Sequence, residues 1–295
     1  MKHLRTSPRL SVITLTRNRA TLLDEHLHSL VGQVEENDEL IIIDNGSTDK
    51  TSDVIDSYRN VLPIRSFVSH AQGYPNLYNL AIRKAQNSII VFFDDDCIAG
   101  TNFLAGHRNA HQDHVTRIVE GQSLSRPSGN IYADMMGDHY QNWFRLYMNK
   151  NGELRTFDNK NVSLPRTLFT TYGMYLPALS RGGEDIELGL RFHRNGVPIV
   201  FAPHIIAYHH ERTTLAGFVR QHLRFAQSDA ILSHKLHEKT TVGTFVGYKI
   251  LLHTKSALRR EIMYLRTGNI RYALYLPFLY LTLFFLRIWG YATAR

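Results

Sequence analysis

The first hundred residues alternate between strand-like and helix-like segments, and that alternation leaves few architectures open. LSVITLT, at Leu10–Thr16, reads as a strand; Ala20–Leu30 (ATLLDEHLHSL) has helical spacing; ELIIID, at Glu39–Asp44, is strand again. The turn NGST leads into a helix from about Asp49 to Tyr58. IRSFVS is a weaker strand, Tyr74–Ala85 another helix, and SIIVFF a fourth strand. Short β-branched and aromatic runs bounded by turn residues are the signature of buried strands. Strand–helix alternation of this kind builds right-handed βαβ units on a mainly parallel sheet. The expected fold class is therefore α/β, a Rossmann-like central sheet flanked by helices. A hydrophobic content of 43% is ordinary for a chain with such a core.

In parallel sheets, ligands bind outside the carboxyl ends of the strands. Asp44 closes the second strand, and Asp94, Asp95 and Asp96 close the fourth, so these carboxylates share one edge. Three adjacent like charges repel one another, and a bound cation explains why they gather. A second acidic feature lies in Ser180–Asn195 (SRGGEDIELGLRFHRN), where a glycine-rich turn opens a helix. Glu184 and Asp185 stand in its first turn, where the helix dipole favours acids.

The middle of the chain is less regular. Ser125–Tyr140 (SRPSGNIYADMMGDHY) reads as a loop, and Asn142–Met148 as a short amphipathic piece. VPIVFAP and IIAYHH read as two short strands. His107, His111 and His114 share helical spacing, and a solvated helix face is a better reading of them than a metal site.

The net charge of +8 is unevenly placed. Met1–Arg212 holds 22 Lys and Arg against 23 Asp and Glu, whereas Thr213–Arg295 holds 12 against 3. That asymmetry calls for an anionic partner. Leu215–Leu236 is an amphipathic helix with a basic polar face, and Phe245–Leu265 is similar. Tyr272–Leu286 is uncharged and bounded by Arg271 and Arg287. As a helix it covers about 22 Å, short of the roughly 30 Å of a bilayer core unless Arg287 snorkels. Basic helices beside an aromatic-rich apolar segment point to an anionic membrane surface; a helix hairpin docked on the protein's own core is the alternative. Nucleic acid is not expected, because the basic residues do not interleave with base-stacking aromatics on a polar surface. Cys97 is the sole cysteine, so no intrachain disulfide forms. The amino terminus has too short an apolar run for a secretory signal. The expected organisation is a catalytic domain over residues 1–212 and a basic helical region over 213–295. The expected location is the cytoplasmic side of the cell membrane, peripheral or held by a single anchor.

Several motifs then appear in a familiar order: SVITLTRNR, IIIDNGSTDKT, HAQGYPNLYNLAIRKA, VFFDDDC, GGEDIELGLRFHRNG and YHH. Together they resemble the inverting family-2 glycosyltransferases of the GT-A fold, over about Leu10–Phe225. VFFDDDC is similar to the family's DxD motif, which implies that Asp96 is a direct ligand of Mn²⁺ or Mg²⁺ and that Asp95 faces the ribose. Asp94 would stiffen the turn. His209 matches the late histidine that completes a metal shell in relatives, with a strand-capping role as the alternative and His210 as the adjacent candidate. The ED motif implies Asp185 as the base and Glu184 as a residue orienting the acceptor. Thr16, Arg19, Asp44 and Asn45 fall where the family holds base and ribose, with Gly73 and Asn79 nearby. Arg17 stands where some relatives stack a tyrosine on the base, and Asn45 where many uridine binders carry a second acid. Uridine is thus the default, with thymidine and guanosine open. Gln221, Arg224 and Phe225 (QHLRF) resemble the QxxRW element that borders acceptor and diphosphate in processive synthases; an ordinary basic amphipathic helix reads the same way.

The resemblance implies metal-dependent, inverting transfer of one sugar from a nucleotide-diphosphate sugar to a lipid-linked or oligosaccharide acceptor in cell-surface glycan assembly. A diphosphate leaving group needs a Lewis acid, and hard oxygen ligands suit Mg²⁺ or Mn²⁺. The alternatives are transfer onto polyprenyl phosphate, or a non-catalytic nucleotide-sugar or glycan-binding module. The latter has no need of both a DxD and an ED acid.

Overall fold

The structure is a computed structural model and describes residues 7–113, 115–126, 129–150, 152–180, 182–235 and 258–293. The chain divides into two compact units. The first comprises Met1–Arg126, Tyr147–Ser180 and Glu184–His210; the second comprises Pro127–Leu146, Arg181–Gly183 and Glu211–Arg295. The second unit thus takes in residues 127–146 and 181–183 as well as the stretch from Glu211.

The first unit opens with β1 (Leu10–Thr16), α1 (Ala20–Leu30), β2 (Glu39–Asp44), α2 (Thr51–Ser57), β3 (Ile64–Val68), α3 (Tyr74–Lys84) and β4 (Ile89–Phe92). Every residue of β1, β2 and β4 is buried, as expected of central parallel strands covered on both faces. β5 (Cys97–Ala99), α4 (Phe103–Asn109), β6 (Ile118–Ser125), β7 (Glu153–Leu154), β8 (Val162–Pro165), α6 (Thr167–Tyr172), α7 (Glu184–Arg194) and β9 (Ile199–His209) complete it. The strand order is β3-β2-β1-β4-β8-β6-β9-β5, with β7 also paired to β9. The run from β3 to β4 is parallel, β8 enters antiparallel between β4 and β6, and β6 and β9 are parallel. The main core lies under β1, β2 and β4 against α1, with Leu23, Leu27 and Leu30 fully buried.

Three expectations are corrected. Ser125–Tyr140 is not all loop: α5 (Ile131–Tyr147) begins at its centre. Asn130 caps this helix, its Oδ1 accepting from the Tyr132 and Ala133 amides at 3.0 and 3.3 Å. VPIVFAP and IIAYHH are one strand, β9, which carries Pro203 where the pairing with β6 slips between Gly121 and Gln122. A proline without an amide hydrogen is tolerated where the ladder is already interrupted. His107 and His111 do not face solvent; both are buried. His111 Nε2 donates to Ser163 Oγ (2.9 Å), Ser163 donates to His107 Nδ1 (2.8 Å), and His107 Nε2 donates to Asn161 Oδ1 (2.9 Å). This chain of bonds ties α4 to β8. His114 lies outside the described residues.

The second unit is helical: α5, α8 (Leu215–Lys235), α9 (residues 258–266) and α10 (Ile270–Ala292). Ile131, Met135, Phe218, Tyr264, Leu276 and Leu283 share its apolar cluster. Arg260 pairs with Asp138 and Asp134, and the Tyr264 hydroxyl donates to Asp134 at 2.9 Å. Of the expected helix Phe245–Leu265, residues 245–257 lie outside the described residues. α10 is longer than the expected apolar core Tyr272–Leu286. No helix among the described residues is long and apolar enough to cross a membrane.

Candidate active site

The ends of the parallel strands are held by interlocked turns. Thr16 and Asp44 are register partners at the carboxyl ends of β1 and β2. Beyond them Asn18 adopts a positive φ of 51° and accepts from the Thr48 amide at 2.7 Å, while its own amide donates to Ser47 Oγ at 2.9 Å. Ser47 in turn donates to Asp44 Oδ1 through its amide (2.9 Å) and hydroxyl (2.6 Å). The Asn45 amide group, with its nitrogen turned toward them, reaches the Ser69 and Ala71 carbonyls. Arg17 is exposed on the same edge.

Gly73 precedes α3 with φ +81°, and a Cβ there would lie 2.5 Å from Ser180 Cβ, so a side chain would collide. Asn79 is buried, and both ends of its amide engage the Tyr175 backbone, at 2.9 and 3.1 Å. Its place is therefore to position Tyr175.

The acidic turn after β4 is sewn to the end of β9. The Cys97 amide donates to the Asp94 carbonyl (3.0 Å), the His210 amide to the Asp96 carbonyl (2.8 Å), and Cys97 is the register partner of His209. This main-chain pairing brings a histidine from residue 209 beside an acid at residue 96: His209 Nε2 stands 3.3 Å from Asp96 Oδ1. Arg19, expected at the base and ribose, reaches the acid turn. Its Nη1 donates to Asp95 Oδ1 at 2.5 Å and to Asp96 Oδ2 at 2.9 Å. The Tyr78 hydroxyl donates to Asp94 Oδ1 at 3.1 Å.

Burial, with the neighbouring Asp96 charge, pushes the Asp94 carboxyl up to about 7 and that of Asp95 up to about 6. The Arg19 guanidinium opposes the rise at Asp95. Asp95 Oδ2 is buried and makes no hydrogen bond of normal geometry, and neither does the nearby Thr16 hydroxyl.

Donor atoms of Asp96, Cys97 and His209 lie within 4.8 Å of one another. Cys97 does not suit a hard divalent ion, because sulfur is a soft ligand; burial and the flanking acids also push its thiol up. Asp96 and His209 do suit one.

The second acidic pair starts α7. Glu184 is buried and Asp185 half-buried, with the Ile186 amide donating to Asp185 Oδ1 at 2.8 Å. Burial raises the Asp185 carboxyl well above its usual range, reinforced by Glu184 and Asp158 and opposed by Lys160.

Asp158 and Lys160 drew no attention in the sequence. They belong to FDNKN, the segment before β8, where a buried Lys160 Nζ pairs with Asp158. The Asp158 amide donates to the buried Glu120 at 3.3 Å, and Asn159 accepts from the Tyr175 hydroxyl at 2.6 Å. Tyr175 stacks on Tyr78, ring centroids 5.1 Å apart, so one aromatic platform supports both Asp94 and this segment. The Lys160 charge is felt by Asp94, Glu120 and Asp185 alike. The one available signal was compositional: a lysine flanked by asparagines and an aspartate at the start of a short apolar run.

Gln221 and Arg224 lie on α8 of the second unit, half-buried and exposed respectively. Between them His222 is buried against Phe218, ring centroids 4.5 Å apart, and Phe225.

The family profile of glycosyl transferase family 2 matches residues 11–173, more than half of the chain. The chain belongs to glycosyl transferase family 2. It has the mostly parallel central sheet seen in GT-A glycosyltransferase structures. A validoxylamine A glucosyltransferase of Streptomyces hygroscopicus subsp. jinggangensis is 29% identical over 260 residues, which cover 73% of this chain and 61% of that protein. The chain thus spans about three fifths of the length of that relative.

A Methanococcus voltae dolichyl N-acetyl-α-D-glucosaminyl phosphate 3-β-D-2,3-diacetamido-2,3-dideoxy-β-D-glucuronosyltransferase is 20% identical over 77% of this chain and 74% of its own. Among solved structures, the Pyrobaculum calidifontis mannosyltransferase PcManGT, in complex with GDP-Man and Mn²⁺, shares the fold with a TM-score of 0.65. That match has 18% identity and covers 98% of this chain and 86% of the other. Residues 1–349 of S. aureus TarS, in complex with UDP-GlcNAc, match with a TM-score of 0.56 at 16% identity, covering 91% and 90%.

Proposed function

We propose that this family-2 glycosyltransferase moves one sugar from a nucleotide-diphosphate sugar to a hydroxyl of a lipid-linked or oligosaccharide acceptor, with inversion at the anomeric carbon. The observation that carries the reading is the Asp96–His209 pair, a carboxylate and an imidazole 3.3 Å apart where the acidic turn meets the end of β9. A divalent ion held by Asp96 and His209 would supply the charge that the leaving diphosphate needs. A mixed carboxylate and imidazole set suits Mn²⁺ better than Mg²⁺, which takes oxygen ligands almost exclusively. Mn²⁺ in the PcManGT structure supports that choice.

Asp185 accepts the proton of the attacking hydroxyl. Its raised pKa makes it a stronger base once ionised, and Lys160 keeps the ionised form accessible. Glu184, adjacent and buried, orients the acceptor. Thr16, Asp44 and Asn45, with the exposed Arg17, receive the nucleoside at the strand ends. A single base and direct in-line displacement give inversion. UDP-sugar is the default donor, while the GDP-Man seen in PcManGT keeps guanosine in play. A lipid-linked acceptor is supported by the dolichyl phosphate named for the Methanococcus relative and by the basic tail.

Calorimetric titration with UDP, GDP and TDP, with and without Mn²⁺, tests this on the protein and on Asp96→Asn. Metal-dependent binding of one nucleotide, lost in the variant, is the expected result. Binding of none of the three with Mn²⁺ present would leave the fold without its chemistry.

A further inference from the structure

Helix α10 is apolar on two sides, and its own unit uses one of them. Ala273, Leu276, Leu279 and Leu283 are buried in the helical core. On the other side Leu274, Phe278, Leu281, Phe285 and Trp289 stand in solvent, Leu274 at 77%, Phe278 at 62% and Trp289 at 67% exposure. Spacings of four, three, four and four residues place them on one stripe about 22 Å long. A helix apolar all round is at home only when both sides are covered, and an exposed stripe of this size marks a partner.

Charge says which partner. α10 contains no acidic residue. Arg271 heads the stripe, three residues before Leu274, and with Arg259 and Arg266 of α9 it is exposed. The whole stretch Thr213–Arg295 holds 12 basic residues against 3 acidic ones. Pairing two copies through this face would bring two such positive surfaces together, whereas an anionic lipid surface would neutralise them. The buried inner side ties α10 to its unit along its length, so the outer stripe favours a helix lying in the interface plane.

We propose that the outer side of α10 is a membrane-docking face, which inserts Leu274, Phe278, Leu281, Phe285 and Trp289 at the headgroup–acyl boundary of an anionic lipid surface. Arg259, Arg266 and Arg271 meet the phosphates. The proposal uses the helical unit alone, so it stands or falls separately from the catalytic reading.

Vesicle flotation of the full chain tests it, with phosphatidylcholine vesicles with and without phosphatidylglycerol. The protein should float with anionic vesicles, and much less with neutral ones. Phe278→Glu with Phe285→Glu should lower the partition coefficient at least about tenfold, while the unfolding temperature and Mn²⁺-dependent nucleotide binding stay as in the parent. Arg266→Gln with Arg271→Gln, which disturbs no packing, should weaken flotation on anionic vesicles alone, by about tenfold or more.

Flotation unaffected by either pair, or absent in the parent protein, overturns the proposal. So does a dimer in light scattering that the glutamates dissociate without any vesicle binding by the parent. A lowered unfolding temperature in the glutamate pair, with Arg266→Gln and Arg271→Gln silent, would mean that the face packs within the chain.

Discussion

Replacing Gly189 by alanine sets helix propensity against packing, and the structure says which wins. Gly189 lies inside α7, where alanine is favoured over glycine by about 1 kcal/mol. A Cβ at this position, however, would sit 2.3 Å from Thr156 Oγ1, 2.7 Å from Thr156 Cα and 2.9 Å from the Phe157 nitrogen. Two of these atoms are backbone of a fully buried segment, so the helix or the segment must shift. Overpacking of this kind costs about 1–3 kcal/mol. The hydrogen bond from the Thr156 hydroxyl to the Ile186 carbonyl, 3.1 Å, is strained as well, for about 1 kcal/mol more. The balance is a net loss of about 2 kcal/mol.

The functional loss should be larger. α7 carries Asp185 at its start and the displaced segment continues into Asp158 and Lys160, so the base moves relative to the charges that tune it. A misplacement near 1 Å costs up to about a hundredfold in rate. Urea unfolding at constant m-value and kcat on the donor identified by titration measure both effects. Gly196→Ala is the control: its φ is +79° with nothing within 4 Å of the new Cβ, so it should cost about 1 kcal/mol of strain and leave kcat alone. Gly189→Ala as stable and active as the parent would refute the contact between α7 and residues 156–157.

Arg19→Met leaves Asp95 and Asp96 buried without their cation, which should destabilise the metal-free protein by about 3 kcal/mol. Mn²⁺ should then raise the variant's unfolding temperature more than the parent's; equal shifts would show that Arg19 and the metal do not share these acids. Lys160→Met removes the charge that holds the Asp185 carboxyl down, so the acidic limb of the kcat profile should move to higher pH, with Lys160→Arg restoring it. An unmoved limb in Lys160→Met removes Lys160 from the site.

His107 is lowered from 6.5 to about 3 by burial, so the folded protein refuses a proton that the unfolded chain takes. Its contribution is present above pH 6.5 and lost as pH falls toward 3, on the order of 5 kcal/mol in all. His107→Gln should flatten the stability curve across that window, whatever its effect at neutral pH, and an unchanged slope would contradict the assignment.

The segments legible in the sequence were those whose burial is set locally. In LSVITLT, ELIIID and SIIVFF the side chains alone announce central strands, and α1 is the eleven residues its spacing predicts. Asp44 and Asp94–Asp96 were legible at the strand ends because they close the apolar runs, and the structure buries Asp44, Asp95 and Asp96 there. Other features were settled by pairings between residues far apart in the chain. NVSLP becomes a strand because β4 and β6 each offer it an open edge, and Pro203 survives inside β9 because the ladder has already slipped there.

Three histidine-spaced positions looked solvated until Ser163 and Asn161 arrived from more than fifty residues away to satisfy two of them. Asp158 and Lys160 join the candidate site for the same reason: the neighbours that give their charges meaning, Glu120, Tyr175 and Asp185, come from other parts of the chain. Hydrophobic periodicity is a local property and is written in the sequence, whereas the electrostatic environment of a buried side chain exists only once distant segments have closed around it.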